Sequence, residues 1–322
     1  MNPTIVERQL RVIHEALQEK DFGSAEEANA FLAQIIQPGK MIRPDLTRMS
    51  PARRAQEIVY DAMEADGPER RKLAESAVEL DPLCVDAHLI LADACETLED
   101  ALAAAERAVE AGRTSLPAEY FTDPTRVGEF WKIIETRPFM RAMSTLADLL
   151  YDARDLDRAI DTHLEMLRLN PNDNQGVRYD LAARLVEAER DEEAQRLMDE
   201  YDEDISAAFP YLTALIAYRA TGDSDRSRQC LKDAIYANPH VTAVFSLDSL
   251  PAMPEYYGIG DFSEAIVICR SQLPAWAKNC GFVPWMLREE DRHSSASRAK
   301  PRKKGYNGLR LGEMVLPDPP RR

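Results

Sequence analysis

The sequence predicts an all-α chain of stacked helix–turn–helix pairs, and three observations predict it. First, Leu169-Asn170-Pro171 and Ala237-Asn238-Pro239 each close an amphipathic segment, and their prolines stand 68 positions apart. That spacing is twice a helix-pair period of about 34 residues. Second, apolar residues recur at three- and four-residue steps, as in Met143, Leu146, Ala147 and Leu150, the mark of one buried helical face. Third, an alanine recurs early in two of the expected second helices, at Ala159 and Ala194, where a small side chain lets paired helices approach. A helix pair cannot bury its apolar face alone, so such pairs stack into an α-solenoid.

Taken in chain order, residues 1–49 read as an N-terminal helical extension and linker. One helix covers about Pro3–Glu19. A second opens at Ser24, with Glu27 placed for a capping box, and ends before Gln37-Pro38-Gly39. Residues 37–49 read as linker. The solenoid is expected over 50–287. Ser50-Pro51 is an N-cap followed by proline in the first turn. Helices are expected over about 51–65 and 68–80, then 85–96 and 99–110, with Ala101, Ala105 and Ala108 at close-packing positions. Residues 112–136 break the period and read as an insertion with one or two short helices. The clearest repeats run over about 140–173, 175–207 and 208–241. Their pattern of large, small and aromatic positions closed by proline is that of the tetratricopeptide (TPR) repeat. Gly222 falls where a helix must end.

After Pro239, Gly260-Asp261-Phe262-Ser263-Glu264-Ala265-Ile266 reads as the turn and second helix of one more repeat, giving an atypical C-terminal cap. His240 is expected at a helix C-terminus, and Tyr256 and Tyr257 over the end of the core. Residues 288–322 read as a basic, disordered tail with ten Lys/Arg against five Asp/Glu.

Composition narrows the function classes. The net charge of −16 divides into −21 on the body and +5 on residues 288–322. Such a body repels polyphosphate, so nucleic acid is an expected partner only through the 288–322 tail. No apolar run reaches the roughly 20 residues that span a membrane. Glu7 and Glu15 interrupt the N-terminal segment, so no secretory signal and a cytoplasmic location are expected. Five scattered cysteines without a CxxC pair read as reduced thiols.

No catalytic chemistry is legible. His14-Glu15-Ala16-Leu17-Gln18 has glutamine where a zinc motif needs its second histidine, and Gly39-Lys40 lacks the rest of a phosphate loop. Neither a metal site nor a cofactor is expected. The concave face, lined by first helices between their core residues, is the candidate site. It offers Arg141, Ser144, Thr145 and Asp148 in one repeat, Tyr179, Asp180 and Ala183 in the next, and Phe209, Leu212, Thr213 and Ile216 in the third. This set does not match the Lys, Asn and Arg clamp by which some TPR domains hold a C-terminal carboxylate. The expected partner is a protein or peptide, with Arg137, Arg141, Arg178, Tyr179 and Tyr211 as candidate contacts.

Several segments carry a resemblance. Glu135-Thr136-Arg137-Pro138-Phe139-Met140-Arg141, Asn170-Pro171-Asn172-Asp173-Asn174-Gln175-Gly176-Val177-Arg178-Tyr179, Tyr201-Asp202-Glu203-Asp204 and Tyr256-Tyr257-Gly258 resemble bacterial TPR proteins similar to the suppression-of-tumorigenicity 7 family. The resemblance covers about residues 20–287 and implies a TPR fold and a protein-interaction role. The expected function is therefore a non-catalytic interaction module or scaffold. The alternative is a nucleic-acid- or ribosome-associated accessory protein acting through the basic tail, and a helical enzyme comes third.

Overall fold

Short polar side chains at helix starts set the element boundaries. Ser50 Oγ accepts from Arg53 N ahead of Pro51, Thr97 Oγ1 from Asp100 N and Asp155 Oδ1 from Arg158 N, while Ser224 and Ser227 bond each other's backbone reciprocally. Each such cap is worth about 1 kcal/mol. Ser24 accepts from Glu27 N, but the Glu27 carboxylate reaches Gly23 N rather than the cap residue. The computed structural model describes residues 3–36, 42, 49–245 and 247–297. These form two compact units, one up to Asn174 and one from Gln175. Among the described residues every regular element is helical.

The first unit contains α1 (Pro3–Gln18), α2 (Ala25–Ile35), α3 (Pro51–Glu64), α4 (Gly67–Leu80), α5 (Val85–Asp93), α6 (Leu98–Ser115), α7 (Glu119–Thr122), α8 (Arg137–Asp152) and α9 (Leu156–Leu169). Helices α3/α4, α5/α6 and α8/α9 are consecutive packed pairs, and α3, α5 and α8 also pack in series as the first helices of those pairs. Alanines make the close approaches. Ala55 and Ala62 of α3 and Ala74 and Ala77 of α4 are fully buried around Val59 and Ile90. Gly112 does the same between α6 and α8: a Cβ there would stand 2.5 Å from Phe139 Cδ2. Phe139 anchors the segment between the pairs, with Phe121 and Phe130 at ring separations of 5.4 and 6.1 Å. Phe130 N also donates to Leu169 O.

The second unit contains α10 (Val177–Glu187), α11 (Asp191–Glu200), α12 (Ala208–Thr221), α13 (Asp225–Ala237), α14 (His240–Val244), α15 (Phe262–Lys278) and α16 (Phe282–Ser297). Helices α10/α11 and α12/α13 are packed pairs. The sequence reading of α15 as the second helix of a further repeat requires correction. It packs mainly on α10 and α14, and also touches α12. The cause is its composition: Ala265, Ile266, Ile268, Cys269, Leu273, Ala275 and Trp276 are all buried, an apolar arc too wide to be satisfied by one neighbour. His240 opens α14 instead of closing α13, with its N–H on Asn238 Oδ1. α16 continues past Leu287 to Ser297, so residues 288–297 of the expected tail are helical. The rest of that tail, and the expected linker 37–49 apart from Ile42 and Met49, lie outside the described residues.

Candidate binding surface

In the first unit the first-helix face is polar and closed from within the chain. Arg141 projects from α8 between the core positions Met140 and Ala142, both buried, and its guanidinium holds two carboxylates. Nε and Nη2 donate to Asp86 of α5 at 2.9 and 2.6 Å, while Nη1 and Nη2 donate to Glu7 of α1 at 2.8 and 3.0 Å. Gln56 Nε2 of α3 also donates to Asp86, at 2.9 Å. Burial alone would raise the Asp86 pKa, since the residue has no exposed surface. Arg141, and after it Gln56 and Arg11, outweigh that and hold it below the ordinary carboxylate range. Burial likewise works against the Arg141 charge, and Asp86 and Glu7 more than restore it.

Helix α1 meets this face through a row of charged side chains. Arg8 donates to Glu57 and Asp61 of α3 at 2.8 and 2.9 Å. Arg11 donates to the Tyr60 hydroxyl at 3.2 Å and to Ile134 O at 3.3 Å. Glu15 accepts from Arg53, which also donates to Glu57. Burial pushes the Tyr60 hydroxyl up to about 12, against the pull of Arg11, so it stays a donor and bonds Glu7 Oε1. Arg137 lies at the edge of this network. It donates to Trp131 O at 2.9 Å, lies over the Trp131 ring at 5.5 Å, and has Nη1 3.9 Å from Glu7 Oε2.

In the second unit the first-helix face is closed by α15. Ala183, Phe209 and Leu212, expected to line an open groove, are buried. Tyr211 is fully buried, its ring 6.3 Å from Trp276 and its hydroxyl donating to Asn238 O at 2.8 Å. Arg178 and Tyr179 lie at the rim. Arg178 Nε donates to Asp204 Oδ2 at 2.6 Å and Nη2 to the Tyr179 hydroxyl at 2.8 Å, which in turn donates to Asp204. The Arg178 guanidinium also stacks on the rings of Tyr179 and Tyr201 at 4.3 and 5.4 Å. Burial first, and then the Asp204 acceptor, push the Tyr179 hydroxyl up. Ile205, Tyr256 and Tyr257 are exposed.

Sequence reasoning did not find Glu7, Asp86 or Glu264. Glu264, 1% exposed, accepts from Ser206 Oγ, Ala207 N, Asn238 Nδ2 and Gly260 N at 2.7 to 3.1 Å. Four donors satisfy the carboxylate, so it ties the α13–α14 turn to the start of α15. That explains the Asn-Pro and Gly-Ile-Gly-Asp segments structurally. The available signal for Glu7 was its spacing with Arg8, Arg11 and Glu15, which puts all four on one helical face.

The tetratricopeptide repeat family matches residues 71–117. The matched stretch takes in most of α4 and all of α5 and α6, and so includes the helix that carries Asp86. The chain therefore carries a TPR repeat over this stretch. No curated protein matches the chain. No helix of the described residues is long and apolar enough to cross a membrane.

Proposed function

We propose that this protein is a non-catalytic interaction module that binds a protein or peptide partner through its first-helix faces and their rims. The supporting observation is the TPR match over 71–117, because the repeat is an architecture for presenting a binding face rather than for housing a reaction. In this reading Arg137 and Arg141 contact the partner in the first unit and Arg178 and Tyr179 in the second, while Tyr211 supports the second face from beneath. The arginine forks suit carboxylate groups, and the exposed Ile205, Tyr256 and Tyr257 suit an apolar flank. Kinship with the suppression-of-tumorigenicity 7 relatives, on the Asn172–Tyr179 stretch, and a cytoplasmic location belong to the same reading. The test is a photo-crosslinking residue at Arg137 or at Tyr179 in the full chain, in the cells that make it. A discrete crosslinked protein at either position supports the reading. A helical chain that crosslinks to nothing at both positions overturns it.

A further inference from the structure

We infer that α1 is an intramolecular ligand of the α3/α5/α8 face, held by charge, and that a partner helix with the same order of charges takes its place. The inference rests on the interaction reading above and identifies the kind of partner. Two faces of similar origin are closed in different ways. In the second unit α15 closes the face with Ile268, Leu273 and Trp276, each at most 4% exposed. In the first unit the residues of α1 aimed at the face are Glu7, Arg8, Arg11 and Glu15. At 100° per residue these four fall within an arc of roughly 100°, and each meets a complementary group: Arg141, Glu57 with Asp61, Tyr60, and Arg53. Among the described side chains of α1, Val12 is the one buried apolar residue, and Ile5, Val6, Ile13, Ala16 and Leu17 are half-buried. The element that follows gives little further anchorage, since α2 has no buried residue.

Salt screens exposed pairs strongly and partly buried pairs much less, so the grip of these largely buried charges is tested by reversing one of them. The face also selects its replacement. It presents Arg141 beside Arg137, then Glu57 and Asp61, then Arg53. An incoming helix therefore fits when it carries a carboxylate, arginines one and four residues later, and a second carboxylate eight residues later. Tethered α1 competes at an effective concentration on the order of millimolar, so a partner enters when it binds more tightly or when α1 is released.

The test uses the full chain and a fluorescent peptide of residues 1–20. Amide hydrogen exchange of residues 3–18 should speed up at least about tenfold in a Glu7→Lys chain relative to wild type, as local opening of α1, with α3 and α8 unchanged. The peptide should bind a Glu7→Lys chain at least about tenfold more tightly than the wild-type chain, since removal of the tethered competitor raises apparent affinity. A peptide carrying Glu7→Lys should bind neither chain. If Glu7→Lys does not fold, Arg8→Gln serves, because it removes the pairs with Glu57 and Asp61 without placing a carboxylate beside buried Glu57. Unchanged exchange of α1 in the Glu7→Lys chain, or equal peptide affinity for the two chains, overturns the inference. A positive exchange result with no cellular crosslink at Arg137 or Tyr179 would count against the interaction reading alone; the reverse would count against displacement alone.

Discussion

Arg141→Met keeps the volume of the side chain and removes its charge, leaving Asp86 and Glu7 facing each other across α5, α8 and α1. Glu7 can leave with α1, but Asp86 has no exposed surface and no route to water. Its alternative is to take up a proton. From an unfolded value of 3.8, protonation at neutral pH costs about 1.4 kcal/mol per pH unit, or roughly 4 kcal/mol at pH 7. That is the expected loss, and it matches the roughly 3–5 kcal/mol typical of breaking a buried pair.

The sign of the pH dependence follows. In the wild type the folded Asp86 pKa lies below the unfolded one, so its stabilisation is present above 3.8 and is lost as pH falls through the folded value. In the variant the folded pKa is raised, so stability falls as pH rises above 3.8. The gap between the two proteins should therefore widen by about 1.4 kcal/mol per unit from about pH 4.5 upward until Asp86 ionises. Urea unfolding followed by far-UV circular dichroism at several pH values measures it. A gap below about 1 kcal/mol at pH 7, or one that does not change with pH, would refute the reasoning, given that a fully buried carboxylate stripped of its arginine and left with Gln56 should cost more.

Gly112→Ala gains up to about 1 kcal/mol of helix propensity, yet its Cβ would meet Phe139 at 2.5 Å. Overpacking of about 1–3 kcal/mol wins, so a lowered Tm is expected, and a raised one would show that Phe139 yields freely. Glu264→Gln turns one of two acceptor oxygens into a donor facing a pair of donors. A loss of about 2–4 kcal/mol is expected in urea unfolding, and Glu264→Ala should lose more. Thiol labelling should modify exposed Cys280 first. Buried Cys84, whose thiol burial pushes up to about 12, and buried Cys269 should react only on unfolding. Rapid labelling of Cys84 in the folded chain would contradict its burial.

What was legible in the sequence was local. Ser50-Pro51, Gly222 and the two Asn-Pro turns mark helix ends through backbone chemistry that needs no partner, so the pairs α8/α9 and α12/α13 could be read directly. Alanines at 101, 105 and 108, all buried, announce close packing in the same way. What was not legible is where a helix goes once formed. The apolar arc of α15 announces burial but not its partner, so its return to α10 could not be inferred. Glu7 and Arg141 are separated by 134 positions, and nothing in a charge pattern pairs groups so distant. Tyr211 shows the same limit: an aromatic on a first helix is compatible with a groove wall or a core, and α15 makes it core.

The chemistry of the helix covering each face decides which face a partner can enter. Displacing α15 would return Trp276, Leu273 and Ile268 to water. At about 25 cal/mol per Å² and 150–250 Å² for the tryptophan alone, that side chain costs about 4–6 kcal/mol. An entering helix would have to replace that burial almost atom for atom. Displacing α1 returns its ions to water, where hydration offsets the lost pairs, and the Arg8–Asp61 pair at the exposed edge contributes only about 0–1 kcal/mol. The expensive member is the Arg141–Asp86 pair, and it stays intact when Glu7 departs because both residues belong to the repeat helices. The first unit therefore keeps its charged centre whether or not α1 is seated. That property suits a face meant to exchange one carboxylate-bearing helix for another.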